Sequence, residues 1–153
     1  MKILIKNGRL VDPASGLDQV GDLAITSGRI SAIGQPNADF AADRVIDATG
    51  KIVVPGLVDL AARLREPGHE HEGMLESELA AAAAGGVTSV VCLTDTDPTL
   101  DEQGLVEMLK LRARKLSRCR LFPLGALTRG LKGENLTEMA ELHEAGCVGY
   151  SQA

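Results

Sequence analysis

Val53-Val54-Pro55-Gly56-Leu57-Val58-Asp59-Leu60-Ala61-Ala62-Arg63-Leu64-Arg65-Glu66-Pro67-Gly68 is the stretch on which the fold of this chain turns. Every residue from Val53 to Val58 except Gly56 is apolar or proline, the pattern of a strand buried on both faces, and the run closes on a Pro-Gly turn. That turn lies at the strand's C-terminal end. Loops at that end build the active sites of parallel α/β folds, so residues 59 to 68 are where chemistry is sought.

Upstream, residues 1 to 55 read as short strands separated by turn residues. Ile3 to Lys6, Arg9 to Asp12, Asp22 to Thr26, Arg29 to Ile33 and Arg44 to Asp47 are the candidates, broken at Asn7-Gly8, Pro13 to Gly16, Ser27-Gly28 and Gly34 to Asn37. Ser27-Gly28 between two apolar runs is a hairpin signal. Downstream of Gly56 the pattern becomes strand then helix, repeated about every 30 residues, as in βα units. Helices are predicted over Met74 to Ala84, closed by Gly85-Gly86, over roughly 102–117, capped by Asp101 or Thr99, and over Glu134 to Ala145. Strands are predicted over 57–64, Val87 to Leu93, Cys119 to Leu124 and Cys147 to Ser151, parallel neighbours if the crossovers are right-handed. The expected fold class is α/β: a small β module over 1–55, then the first four βα strands of a (β/α)8 barrel over 56–153. Four strands are half such a barrel, so the sequence reads as the N-terminal part of a longer protein.

The wording of the central stretch resembles the first barrel strand of dihydroorotases and related cyclic-amide hydrolases of the amidohydrolase superfamily, whose signature is P-G-L-[VI]-D-x-H-x-H-[LF]-R-E-P-G. The frame survives as Pro55, Gly56, Leu57, Val58, Asp59, then Leu64, Arg65, Glu66, Pro67 and Gly68, while Ala61 and Arg63 stand where both histidines belong. The phrases IKNGRLVDP, DLAITSGRISAIG and VIDATGKIVVPGLVD resemble the β-sandwich domain that precedes the barrel in many amidohydrolases, which makes the expected module a β-sandwich. In a strand, residues i and i+2 point to the same side, so His-x-His delivers two imidazoles toward one zinc ion. A methyl group cannot coordinate zinc, and a guanidinium is a permanent cation that repels it.

Two further sites carry the resemblance. Leu93-Thr94-Asp95-Thr96-Asp97-Pro98 is similar to the dihydroorotase phrase M-P-N-T-x-P, whose Asn joins the first-strand Arg in holding a substrate carboxylate. Arg65 is retained, but the Asn position is Asp95, whose charge repels a carboxylate and could pair with Arg65 instead; a plain loop or cap residue is the alternative. Tyr150-Ser151-Gln152 is similar to F-[ST]-D-D-G, with Gln152 on the first Asp, and a neutral amide poorly replaces a bridging anion between two zinc ions. The resemblance thus implies lost ligand positions at Ala61, Arg63 and Gln152, no metal or cofactor, no catalytic residue, and a vestigial substrate pocket at Arg65 and Asp95. His69-Glu70-His71 follows the Pro-Gly turn in a loop and reads as solvated, a relocated metal site being the alternative. His143 reads as a helix-surface residue.

Composition narrows the classes. Aromatics at 2% leave no stacking platform for single-stranded nucleic acid, and a net charge of −5 argues against a phosphate-backbone partner. The basic run Lys110 to Lys115 reads as a solvated helix face. Cys92, Cys119 and Cys147 fit no metal spacing and read as small buried hydrophobes of a reducing compartment. No signal peptide or membrane span is evident, which makes cytoplasm the expected location.

The resemblance implies a non-catalytic dihydroorotase homologue, the pseudo-dihydroorotase type, that supports the assembly of aspartate carbamoyltransferase in pyrimidine biosynthesis. Its expected partner is the catalytic chain of that enzyme, with self-association into a homo-oligomer. The alternative is an active zinc-dependent cyclic amidohydrolase opening dihydroorotate, with ligands from a C-terminal half beyond these residues and from His69 or His71. A small-molecule sensor using the emptied pocket is a third class.

Overall fold

The computed structural model describes residues 1–37 and 39–152. By their internal contacts they fall into two units, Met1–Pro55 and Gly56–Ala153.

The first unit is built on one long strand, β1 (Lys2–Asp12). It pairs antiparallel with β2 (Leu17–Thr26), which carries β3 (Arg29–Gly34) on its outer side. On the other edge β4 (Arg44–Asp47) pairs with Ile3–Lys6 and β5 (Ile52–Val53) with Arg9–Leu10, both parallel. An 11-residue strand has room for two short ones end to end, so the described residues form a single five-stranded sheet. A sandwich needs a second packed sheet, and the described residues of this unit supply one sheet. Asn7-Gly8, read as a strand break, is a bulge inside β1. The register slips between Ile5 and Gly8, and Asn7 takes φ 61°, its N–H donating to Asp22 Oδ1 at 2.9 Å and its amide to Asp47 Oδ1 at 3.3 Å. Polar partners on both neighbouring strands let the chain absorb one extra residue instead of turning. Ser27 and Gly28, at φ 50° and 75°, make the two-residue hairpin between β2 and β3.

In the second unit β6 (Leu57–Ala62), β7 (Val87–Cys92), β8 (Arg120–Ala126) and β9 (Gly149–Ser151) form a parallel sheet in sequence order. Helices α1 (Leu75–Ala84), α2 (Gln103–Leu116) and α3 (Met139–Ala145) form the crossovers. This is a curled α/β half-barrel. Its core joins Leu64, Leu75, Leu79, Val90, Cys92, Leu100 and Leu109, and a second cluster joins Val106, Leu142, Ala145 and Cys147. A leucine buried this fully contributes about 1.5–3 kcal/mol of transfer free energy.

Three expectations are corrected. The run Val53 to Val58 is not one buried strand: Ile52–Val53 belongs to the first sheet and Leu57 opens the second. Pro55 has no N–H for a ladder, and at Gly56 the Thr88 side chain fills the space a Cβ would need. Among the described residues β6 lies at the edge of its sheet, with Leu57 55% and Leu60 72% exposed. The third helix starts at Met139 rather than Glu134 because residues 135–137 pair with the segment after β8. Leu136 bridges Thr128, Arg129 N–H donates to Asn135 O at 2.9 Å, and Thr137 Oγ1 donates to Ala126 O at 2.7 Å. The N-cap of α2 is Glu102, while Asp101, expected there, accepts from Gly130 N–H at 2.8 Å. No helix among the described residues is long and apolar enough to cross a membrane.

Candidate functional site

The C-terminal ends of the four parallel strands and the loops leaving them form the mouth where the half-barrel's chemistry is sought. Past β6 the chain turns, with Arg65 in the left-handed region and Glu66 N–H donating to Leu64 O at 2.8 Å; Leu64 and Glu66 are buried, Arg63 and Arg65 are not. Glu66 is 2% exposed. Its Oε2 accepts from Leu75 N–H at 2.7 Å, where the carboxylate meets the first turn of α1, and its Oε1 lies against the Arg112 guanidinium of α2. The mouth loop is thus anchored to both helices behind it. The burial of Glu66 has no periodic signal in the sequence, since the turn at Arg65 sets it; a carboxylate buried this way demands a cation to meet it, which Arg112 supplies.

The Arg63 Nε lies 2.7 Å from Asp95 Oδ2, with the arginine 56% and the aspartate 28% exposed. Arg65, at φ 63°, turns instead to Glu72, Nε to Oε2 3.0 Å. The pairing expected between Arg65 and Asp95 is corrected: the carboxylate is met by the arginine at the second lost histidine position. Arg65 and Asp95 therefore face different partners and do not converge on one ligand point.

Around this pair the loops are closed by their own backbone. Asp97 N–H donates to Pro67 O at 3.0 Å, and Gly68, at φ +98°, lies so close to Asp97 that no Cβ fits. Thr96 Oγ1 donates to Pro98 O at 2.7 Å, whereas the buried Thr94 Oγ1 has no partner among the described residues. His69 N–H donates to Arg65 O at 2.8 Å, and the His69 and His71 rings stand edge-on with centroids 6.2 Å apart. The Glu70 carboxyl is held below its usual range by backbone N–H groups, its own and that of Gly68. His71 Nε2 lies 3.7 Å from Glu72 Oε1 at the surface.

At the far side of the sheet both ends of the Gln152 amide are bonded. Its Oε1 accepts from Thr128 Oγ1 at 2.8 Å and its Nε2 donates to Leu131 O at 2.9 Å, tying the end of β9 to the turn at Arg129–Leu131. His143 is exposed on α3. Burial pushes the Cys92 thiol up to about 12 and the Cys147 thiol up to about 11.

A hydrolytic zinc centre does not fit these donors. Ala61 offers a methyl, Arg63 a cation already paired, and Gln152 an amide whose two ends bond the neighbouring turn. Among the described residues no group of three or more His, Cys, Asp or Glu is placed to hold a metal ion.

The family described as dihydro-orotase-like matches residues 50–153. A protein of Pseudomonas aeruginosa named dihydroorotase-like protein is 48% identical over 151 residues, 99% of this chain and 36% of its own. A dihydroorotase of Pelobacter propionicus is 46% identical over 151 residues, again 99% of this chain and 36% of its own. Among solved structures, the L-hydantoinase (dihydropyrimidinase) of Arthrobacter aurescens superposes with a TM-score of 0.82 at 28% identity, covering 97% of this chain and 32% of that one. The chain therefore spans about a third of the length of the relatives it matches.

Proposed function

This chain belongs to the dihydro-orotase-like family, and from that premise we infer that it is a non-catalytic member whose role is assembly rather than hydrolysis. The observation that carries the reading is Arg63: a fixed cation stands at a metal-ligand position of the family phrase, paired with Asp95. A divalent ion brought beside it would meet like charge. Arg65 and Asp95 are then remnants of a substrate pocket, one turned to Glu72 and the other neutralised by Arg63. The partner is the catalytic chain of aspartate carbamoyltransferase, which a homo-oligomer of the complete protein supports in pyrimidine biosynthesis. Co-expression tests this directly: the carbamoyltransferase should co-purify and lose its active assembly without the complete protein. An enzyme that assembles and turns over unchanged alone overturns the role.

A second reading, an active zinc-dependent dihydroorotase opening the ring of dihydroorotate, is favoured over the first by the relatives' names, dihydroorotase among them. It draws its ligands from His69 or His71 and from chain beyond the residues given. Elemental analysis and a ring-opening assay on the complete protein separate the two. Zinc at one or more per chain together with turnover selects the enzyme; metal-free protein without turnover selects the assembly role.

A further inference from the structure

At the opposite end of the strands from the mouth, an open groove of about 610 Å³ runs between the last turn of α2 and the start of β8. Its charged lining is Lys110, Arg114, Arg118 and Arg120, four cations with no acidic residue, in a chain whose net charge is −5. Lys110 Nζ donates to Ala145 O at 2.6 Å, fixing that ammonium in place. Arg114, Arg118 and Arg120 have no carboxylate partner among the described residues. Basic side chains at a helix C-terminus ordinarily just complement its dipole. That dipole amounts to about half a negative charge, and four cations exceed it several-fold. The run Lys110 to Lys115 by itself reads as a solvated helix face. Ser117, at φ 51°, ends α2 and turns the chain, and Arg118 and Arg120 beyond it line the same groove as Arg114.

We propose that this groove binds a small polyphosphate, of the nucleoside di- or triphosphate class. Guanidinium groups recognise phosphate oxygens bidentately, and three without a carboxylate partner, Arg114 donating only its Nε to Lys110 O at 3.4 Å, suit two or more phosphates. The groove has the size of a small-molecule site, and Leu121 and Phe122 on its wall supply apolar surface for an organic body that bare phosphate does not need. Single-stranded nucleic acid would require a run of aromatic platforms, and this chain has two Phe and one Tyr. The inference is independent of whether the mouth hydrolyses anything.

Calorimetric titration of the protein with ATP, pyrophosphate and inorganic phosphate at low salt tests it. ATP and pyrophosphate should bind, ATP more tightly, and both should weaken as salt is raised. Arg118→Glu with Arg120→Glu should weaken ATP by at least about tenfold at an unchanged melting temperature, the loss of two charged contacts. If the double reversal fails to fold, Arg118→Gln and Arg120→Gln at these exposed positions give the same reading with less perturbation. Arg29→Glu, in the other unit, should leave binding as it was. No heat with ATP or pyrophosphate at millimolar concentration overturns the proposal. So does binding indifferent to the arginine variants, or displacement of ATP by duplex DNA at lower concentration.

Discussion

Arg63 and Asp95 bridge the ends of two neighbouring parallel strands at 2.7 Å, one from the loop after β6 and one from the loop after β7. The pair is a surface contact in energetic terms, since both side chains are partly in water. Arg63→Ala should therefore change unfolding free energy by less than about 1 kcal/mol. Urea titration of the variant checks this, and a loss of several kcal/mol would show that the pair holds the mouth together.

Glu66 is the contrasting case. Removing it leaves Leu75 N–H without its acceptor and Arg112 without its partner, and opens space beside the core. Arg112 is half exposed and can rehydrate, which trims the charge penalty. Glu66→Ala should cost about 2–3 kcal/mol, several times the Arg63 change, by the same titration.

The buried thiols make stability depend on alkaline pH. In the unfolded chain a cysteine loses its proton near 9.0, whereas folded Cys92 holds it to about 12 and Cys147 to about 11. Above pH 9 the folded state binds more protons than the unfolded, so stability must fall as pH rises from 9 toward 11 and 12. Cys92→Ala with Cys147→Ala should flatten that slope. Iodoacetamide at pH 8 should leave both thiols unlabelled until denaturant is added.

At Gly68 a positive φ and the absence of room beside Asp97 act together. Gly68→Ala should destabilise by about 1–3 kcal/mol and should raise hydrogen exchange at the Asp97 N–H, which bonds Pro67 O across the two loops.

For Gln152→Ala the expected loss is about 1 kcal/mol, that of a partly exposed hydrogen-bonded amide. It should also speed exchange at Gly133, whose N–H donates to Thr128 Oγ1 at 3.0 Å in the same network.

Much of the architecture was legible because local and tertiary signals agree. The strand–helix alternation after Gly56 set the parallel sheet, Ser27-Gly28 marked a hairpin, and Arg44–Asp47 is a strand with the bounds its pattern gave. Misreadings fell where tertiary pairing overrode local preference. Asn135 to Thr137 has helical neighbours but finds extended partners at Leu127 and Arg129. Val53 to Val58 is uniformly apolar, and periodicity alone cannot show that it is shared between two sheets. At the mouth, the residue types were readable but their partners were not: two arginines two positions apart gave no indication which would reach Asp95 and which Glu72.

The phrase Leu64-Arg65-Glu66-Pro67-Gly68, by which the chain resembles an enzyme family, consists largely of moorings. Leu64 sits in the core, Glu66 grips two helices, and Gly68 clears space for the adjoining loop. Such a phrase answers to the demands of shape whether or not any reaction takes place above it. It certifies the building, and says nothing of whether the workshop inside is still open.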